Sequence, residues 1–302
     1  MRGDIWPHVY LFLVALIYGA NYTISKWVMD DDYIHPLGFI VFRVSAALFL
    51  FIITGLFFRE KVKWSDHRWL FLGGIFGVWI NQTLFFYGLH LGSPVNASLL
   101  MMATPLLVLV MAAIILKERI TAIKAGGIVL GCSGAVLLIL SGNKLAGPSG
   151  WVGDLMVFIN AVSYAIYLVL VKRLTGIYHP VTISKWVFFY GWLFSLPTGW
   201  SYAAAVDWSA FTPGVWWSFL YVLVFTTYLA YLLNALALQR VSASLVSVYI
   251  YLQPLIAITI AFLFYQASMS ISVAVSGMII FAGVLMVSHS GSGRRFLWGK
   301  RP

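Results

Sequence analysis

A chain of 302 residues that is 62% hydrophobic and 9% charged, with a mean hydropathy of +0.93, has too little polar surface to close a water-soluble fold, since soluble chains run at about 45–50% apolar and about 25% charged. Its apolar runs continue for about twenty residues, the length of a spanning helix, and not in the alternating stretches of about ten residues that build a transmembrane barrel. The net charge of +10 sits in short loops flanking the apolar runs, where it reads as a topology signal and not as a nucleic-acid surface.

Ten helices are predicted in chain order. The first, over residues 8–29, is longer than a signal-peptide core and lacks a small-x-small cleavage site, so it is expected to remain as a spanning helix. It carries Tyr18 and Asn21 three apart on one stripe, and the Asp30-Asp31-Asp32 run behind it reads as a solvated loop. The second helix, 36–58, contains Arg43, which is expected to snorkel towards a helix-end carbonyl, with binding of a solute carboxylate as the alternative. The third, 69–91, offers Asn81, Gln82 and Phe85; the fourth, 94–116, offers Thr104 beside Pro105. Cys132 lies inside the fifth, 121–141, and reads as a structural thiol in an apolar run.

The sixth helix, 151–172, places Asn160, Tyr164 and Tyr167 at spacings of four and three, again one stripe. The seventh covers 181–200 and the eighth 214–238, with Tyr228, Tyr231 and Asn234. The ninth, 241–265, brings Tyr249 and Gln253 before Pro254, and the tenth, 270–289, precedes a short basic tail.

Lysine and arginine counts set the expected orientation. With the amino terminus in the cytoplasm, sixteen of them fall on that side, and only Lys26 and Lys144 fall opposite. The positive-inside rule therefore predicts both termini in the cytoplasm. An internal repeat is expected as well. At an offset of 149, Ser93 meets Ser242, Pro105 meets Pro254 and Gly134 meets Gly283; at 146, Tyr18 meets Tyr164 and Lys26 meets Lys172. Five spans is an odd number, so two such units in one chain insert in opposite orientations. The expected fold is an all-α integral membrane protein, ten transmembrane helices as two inverted five-helix repeats, with units at 1–145 and 146–302.

The segments IYGANYTISK (17–26), FRVSAALFL (42–50), GLHLGSPVNASLLMMATPLLVLVMAAIILKERI (88–120) and GGIVLGCSGAVLLI (126–139), echoed by VSYAIYLVLVKR (162–173), ALQRVSASLVSVYIYLQPLIAI (237–258) and SGMIIFAGVLMV (276–287), together resemble the drug/metabolite transporter superfamily in its EamA-type ten-helix branch. The resemblance covers about residues 8–289. It implies ten helices with cytoplasmic ends in a cell (inner or plasma) membrane, and export or exchange of amino acids and other metabolites. One departure stands out: the acid that usually follows the ninth helix, matching Glu118 after the fourth, is replaced by YQASM (265–269). Glu118 is therefore read as a cytoplasmic cap or an ion-pair partner of Lys117, Arg119 or Lys124.

Inverted repeats let a central site face either side in turn. Polar residues inside spans are costly and face the bundle interior, so Tyr18, Asn21, Asn81, Gln82, Phe85, Thr104, Asn160, Tyr164, Tyr167, Tyr228, Tyr231, Asn234, Tyr249 and Gln253 are expected to converge on one solute-binding cavity. Helix-to-helix glue is the bland reading for any one of them. The mostly neutral set suits an amino acid or a related zwitterionic or neutral solute. Uptake, or carriage of nucleotide- or lipid-linked solutes, is the alternative. No acid is mid-span, so movement down a solute gradient is expected in place of simple proton coupling. The six histidines make no metal-ligand spacing and no P-loop is present, so neither an enzyme nor a cofactor is expected. The expected partners are the solute and membrane lipid, with a monomer as the working state.

Overall fold

The computed structural model describes residues 5–30, 33–58, 60–116, 121–140, 150–265 and 271–289. Asp31 and Asp32, Lys117 to Arg119 with Glu118, Lys144, the expected boundary at 145–146, residues 266–269 and the basic tail lie outside the described residues.

Ten helical rods follow one another, numbered here α1 to α10. They are α1 (Trp6–Asp30), α2 (Pro36–Gly55), α3 (His67–Gly74, a π-helical segment Ile75–Trp79, then Ile80–Leu91), α4 (Pro94–Met101 and Thr104–Leu116) and α5 (Ala122–Leu140). Then come α6 (Gly150–Lys172), α7 (Pro180–Ala204), α8 (Pro213–Tyr221, a π-helical segment Val222–Leu229, then Ala230–Arg240), α9 (Ala243–Val248, a 3-10 turn Tyr249–Tyr251, then Leu252–Tyr265) and α10 (Ile271–His289). Among the described residues, six stretches are long and apolar enough to cross a membrane, Trp6–Met29, Pro36–Gly55, Trp64–Leu91, Pro94–Ile115, Gly150–Lys172 and Pro213–Arg240. No strand occurs among the described residues. The chain is an all-α membrane protein.

Local chemistry explains where the rods start. Proline at the first helical position has its φ preset and gives up a donor that would be orphaned anyway. Here Pro36, Pro94, Pro180 and Pro213 each follow a residue whose side chain accepts a backbone N–H of the first turn: His35 from Leu37, Ser93 from Asn96, His179 from Val181 and Thr212 from Val215. Ser242 caps α9 on Leu245 N–H in the same way. Interior prolines break rods, because the ring removes a hydrogen bond and crowds the carbonyl four residues back. The interruptions of α4 at 102–103 and of α9 at Tyr249–Tyr251 fall just before Pro105 and Pro254.

The packing has a regular plan. α2 lies on α7 and α5 on α10; α1 contacts α9 and α8, while α6 contacts α4 and α3; α2 touches the π-helical segment of α8, and α7 that of α3. Adding five to each helix number, counted round the ten, turns α2–α7 and α5–α10 into themselves and every other of these contacts into another of them. α5 and α10 meet backbone to backbone: a Cβ built on Gly283 falls 2.5 Å from Gly131 N and 2.6 Å from Gly127 O. One continuous apolar core runs through the bundle. Side chains such as Phe49, Leu255, Leu263 and Met278 stay outside, as expected for a lipid-facing surface.

The two ends of the bundle are distinguished below as the near face, where α1 begins, and the far face, where it ends.

Candidate functional site

The two π-helical segments shape the centre. A π turn bonds i to i+5 and bulges the backbone, which exposes carbonyls to side chains from neighbouring rods. Ser163 donates to Phe76 O (2.6 Å) and Tyr231 Oη donates to Gly77 O (2.7 Å), both within the α3 segment, and Asn160 Nδ2 donates to Asn81 O (2.7 Å) just beyond it. On α8, Thr227 donates to Val222 O (2.8 Å), five residues back. Between these segments, α1, α6 and the interrupted part of α9 lies a small cavity of about 70 Å³.

Eleven of the fourteen expected residues line this cavity: Tyr18 and Asn21 from α1, Asn81, Gln82 and Phe85 from α3, Asn160 and Tyr164 from α6, Tyr231 and Asn234 from α8, and Tyr249 and Gln253 from α9. They are knitted together. Tyr22 donates to Gln253 Oε1 (3.0 Å), tying α1 to α9, and Asn234 donates to Tyr164 Oη (3.3 Å), tying α8 to α6. Asn160 Oδ1 has no hydrogen-bond partner.

The other three do not line it. Thr104 is fully buried in α4. Tyr167 packs over Gly77, whose built Cβ would sit 2.2 Å from the ring. Tyr228 turns to Phe51, ring centroids 4.7 Å apart. The physical reason on α8 is the π-helical segment. Its longer turn rotates Val222–Leu229 against the regular helix after it, so the i, i+3 stripe of Tyr228, Tyr231 and Asn234 does not survive the junction. Thr226 faces the cavity instead.

Sequence reasoning passed over Tyr22, Phe86 and Thr226. Tyr22 stood at i+4 from Tyr18, a legible signal; Thr226 had none without knowledge of the π turn.

Arg43 overturns its expectation. It does not snorkel: its side chain is 2% exposed and its guanidinium lines the cavity. Nε donates to Thr227 Oγ1 (2.9 Å), the guanidinium lies 3.8 Å from the Phe86 ring centroid, and Nη1 has no hydrogen-bond partner. No Asp or Glu is among the residues lining the cavity.

Contacts between rods tie the bundle together at both faces. On the far side Asn96 of α4 donates to the buried Asp154 of α6 (2.8 Å), and Lys26 donates to His90 O at the end of α3. On the near side His8 Nδ1 of α1 and the Tyr249 hydroxyl of α9 are hydrogen-bonded (2.6 Å), and Lys172 donates to Leu238 O and Val241 O at the end of α8. Asp154 lies near the start of α6, in keeping with the absence of a mid-span acid, but it is 2% exposed and not in water.

The near face also holds a polar cluster around the α6–α7 turn. Tyr178 Oη donates to Asp66 and accepts from Lys63 N–H, and the Glu60 carboxylate accepts the His179 N–H. The His179 ring stacks on Phe58 (3.8 Å, 11°), as His35 stacks on Tyr202 at the opposite face (3.8 Å, 12°). Burial holds the His179 imidazole below its ordinary range, with Glu60 pulling the other way.

Apolar helices packed around a central cavity lined by several polar side chains define a multi-pass membrane protein. The chain belongs to the EamA-like transporter family, whose pattern it matches over residues 5–140 and again over 151–289. It is 29% identical over 294 residues to the uncharacterized transporter YyaM of Bacillus subtilis (strain 168), covering 93% of each chain. It is 26% identical over 253 residues to a probable terminal-alkyne amino-acid exporter of Streptantibioticus cattleyicolor, covering 83% of this chain and 82% of that one. A solved crystal structure of another protein shares the fold with a TM-score of 0.64, at 18% identity, over 95% of this chain and 99% of that one.

Proposed function

We propose that this transporter moves a small metabolite, an amino acid or a related solute, in the export or exchange direction, by alternating access of its two five-helix halves to the central cavity. The observation that carries this reading is the cavity itself. Its walls come from helices of both halves, α1, α2, α3 and α4 on one side and α6, α8 and α9 on the other. Rocking one half against the other would open one face as it shuts the opposite one. The regular exchange of contacts on adding five to each helix number supports two equivalent units of opposite orientation.

The near face carries most of the described basic residues, among them Lys61, Lys63, Arg68, Lys172, Arg173 and Lys185, and it is read as cytoplasmic, in a plasma or inner membrane. The amino-acid reading draws on the Streptantibioticus relative, a probable terminal-alkyne amino-acid exporter, and on the amide- and phenol-rich wall. The driving force is the solute gradient, since no acid lines the cavity. The working unit is a monomer.

A counterflow screen of the purified protein in liposomes, with amino acids, amines and sugars, tests this reading. Exchange of at least one solute class is expected, lowered at least tenfold by Asn21→Ala or Tyr164→Ala. If neither substitution alters exchange, this cavity is not the route.

A further inference from the structure

An arginine in the middle of a membrane bundle costs free energy even on insertion scales that allow relaxation. Such a charge persists where something answers it. Around Arg43 the answer is partial. Phe86 supplies a ring face and Thr227 one oxygen, both neutral. The described acids are engaged elsewhere: Asp154 with Asn96 at the far face, Asp66 with Tyr178 and Glu60 with the His179 N–H at the near face, Asp207 with Ser209 in a loop. None lines the cavity. The guanidinium therefore sits in the wall with a full charge and no counter-ion among the described residues.

Its geometry is that of a fork half used. Nε is tied back to α8, and Nη1 is buried with nothing to donate to. With Nε held, the guanidinium cannot swing away, and the two terminal nitrogens keep the parallel N–H pair that matches a carboxylate in bidentate fashion. The next residue on α8 adds to it. Thr226 lines the same cavity, 1% exposed, and its hydroxyl also has no hydrogen-bond partner. The π-helical segment thus uses consecutive threonines for two tasks, Thr227 to fix the guanidinium and Thr226 to offer a donor beside it. The cavity wall also includes the apolar side chains of Leu11, Val14, Ala15 and Met101. A solute ammonium would meet only neutral acceptors here, such as Asn160 Oδ1.

We infer that Arg43 is the carboxylate anchor of the cavity, and that the transported solute is an organic carboxylate with an apolar body whose negative charge is the counter-ion the protein lacks. This rests on the reading of the cavity as the transport site. The carboxylate is required; an amino group on the solute is dispensable.

The test compares leucine and phenylalanine with their C-amides, which lack the carboxylate, and their N-acetyl forms, which lack the ammonium. Binding to the purified protein is read as protection of Arg43 from phenylglyoxal, scored by mass spectrometry at that residue, and transport as counterflow in liposomes. Parent acids and N-acetyl forms are expected to slow Arg43 modification at least tenfold and to exchange, while the amides do neither. Arg43→Gln should lose at least tenfold in counterflow. Arg43→Lys, which keeps the charge and guards against a folding artefact, should fall between the two, and Thr226→Val should weaken the acids several-fold. Amides that exchange as fast as the acids, or an Arg43→Gln protein within twofold of wild type, would overturn the anchor. If those amides are still blocked by Asn21→Ala, transport through the cavity stands without it. No saturable exchange of any amino acid, acid, amine or sugar would instead remove the transport reading, and the anchor with it.

Discussion

Tyr167 and Gly77 show how tightly single residues are fitted around the cavity. A methyl added at Gly77 would fall 2.2 Å from the Tyr167 ring, which is 3% exposed and has no room to retreat. Gly77→Ala should therefore lower the melting temperature in detergent by several degrees, an overpacking cost of about 1–3 kcal/mol. Tyr167→Leu in the same chain should restore most of it, whereas a double variant no more stable than Gly77→Ala would refute the clash. At this scale the sequence was legible where helices are regular. The stripes Tyr18–Asn21 and Asn160–Tyr164 face the cavity because 3.6-residue spacing holds along α1 and α6. It was not legible at Tyr228 and Thr226, which exchange places across a π turn that no spacing announces, nor at Arg43, whose partner Thr227 lies 184 residues away.

Helix starts were the easiest elements to read, because capping chemistry is local. Ser-Pro at 93–94 and Thr-Pro at 212–213 open rods where expected. The two His-Pro pairs at 35–36 and 179–180 do the same, 144 residues apart and at opposite faces, and they extend the repeat beyond the landmarks found from sequence. Each imidazole must be neutral at Nδ1 to accept its backbone N–H. For His179 the folded imidazole titrates below its ordinary 6.5, chiefly through burial. The unfolded chain then binds more protons, so stability is full above about pH 6.5 and is lost as pH falls from there towards the folded value. Melting scans between pH 7.5 and 5.5 should show a steeper fall for wild type than for His179→Asn, which caps without titrating. Parallel slopes would remove the cap from the pH response.

Over the whole molecule, the two faces are held by different bonds between the halves, Asn96 with Asp154 at the far face and His8 with Tyr249 at the near face. Loosening one should bias the cavity towards that side. Cys132 is the only cysteine, so Cys132→Ser gives a clean background for an Ala15→Cys reporter in the cavity wall. In intact cells, Asn96→Ala should raise labelling by an impermeant thiol reagent at least threefold, and His8→Ala should not; equal labelling of both would contradict the latches. An unanswered Arg43 also makes the empty cavity the harder one to occlude. Exchange should outrun net efflux from preloaded liposomes at least tenfold, and equal rates would speak against it.

The α5–α10 pair sets how such motion is delivered. Where Gly283 rests on Gly127 and Gly131, two backbones touch with no side chains between them. Sliding would drive larger residues on either side into the facing rod, but rolling about the contact displaces almost nothing. Under the proposed alternating access the pair would serve as an axle, one helix from each half. Filling it with Gly283→Ala should seize the carrier while leaving the cavity's grip on its solute unchanged.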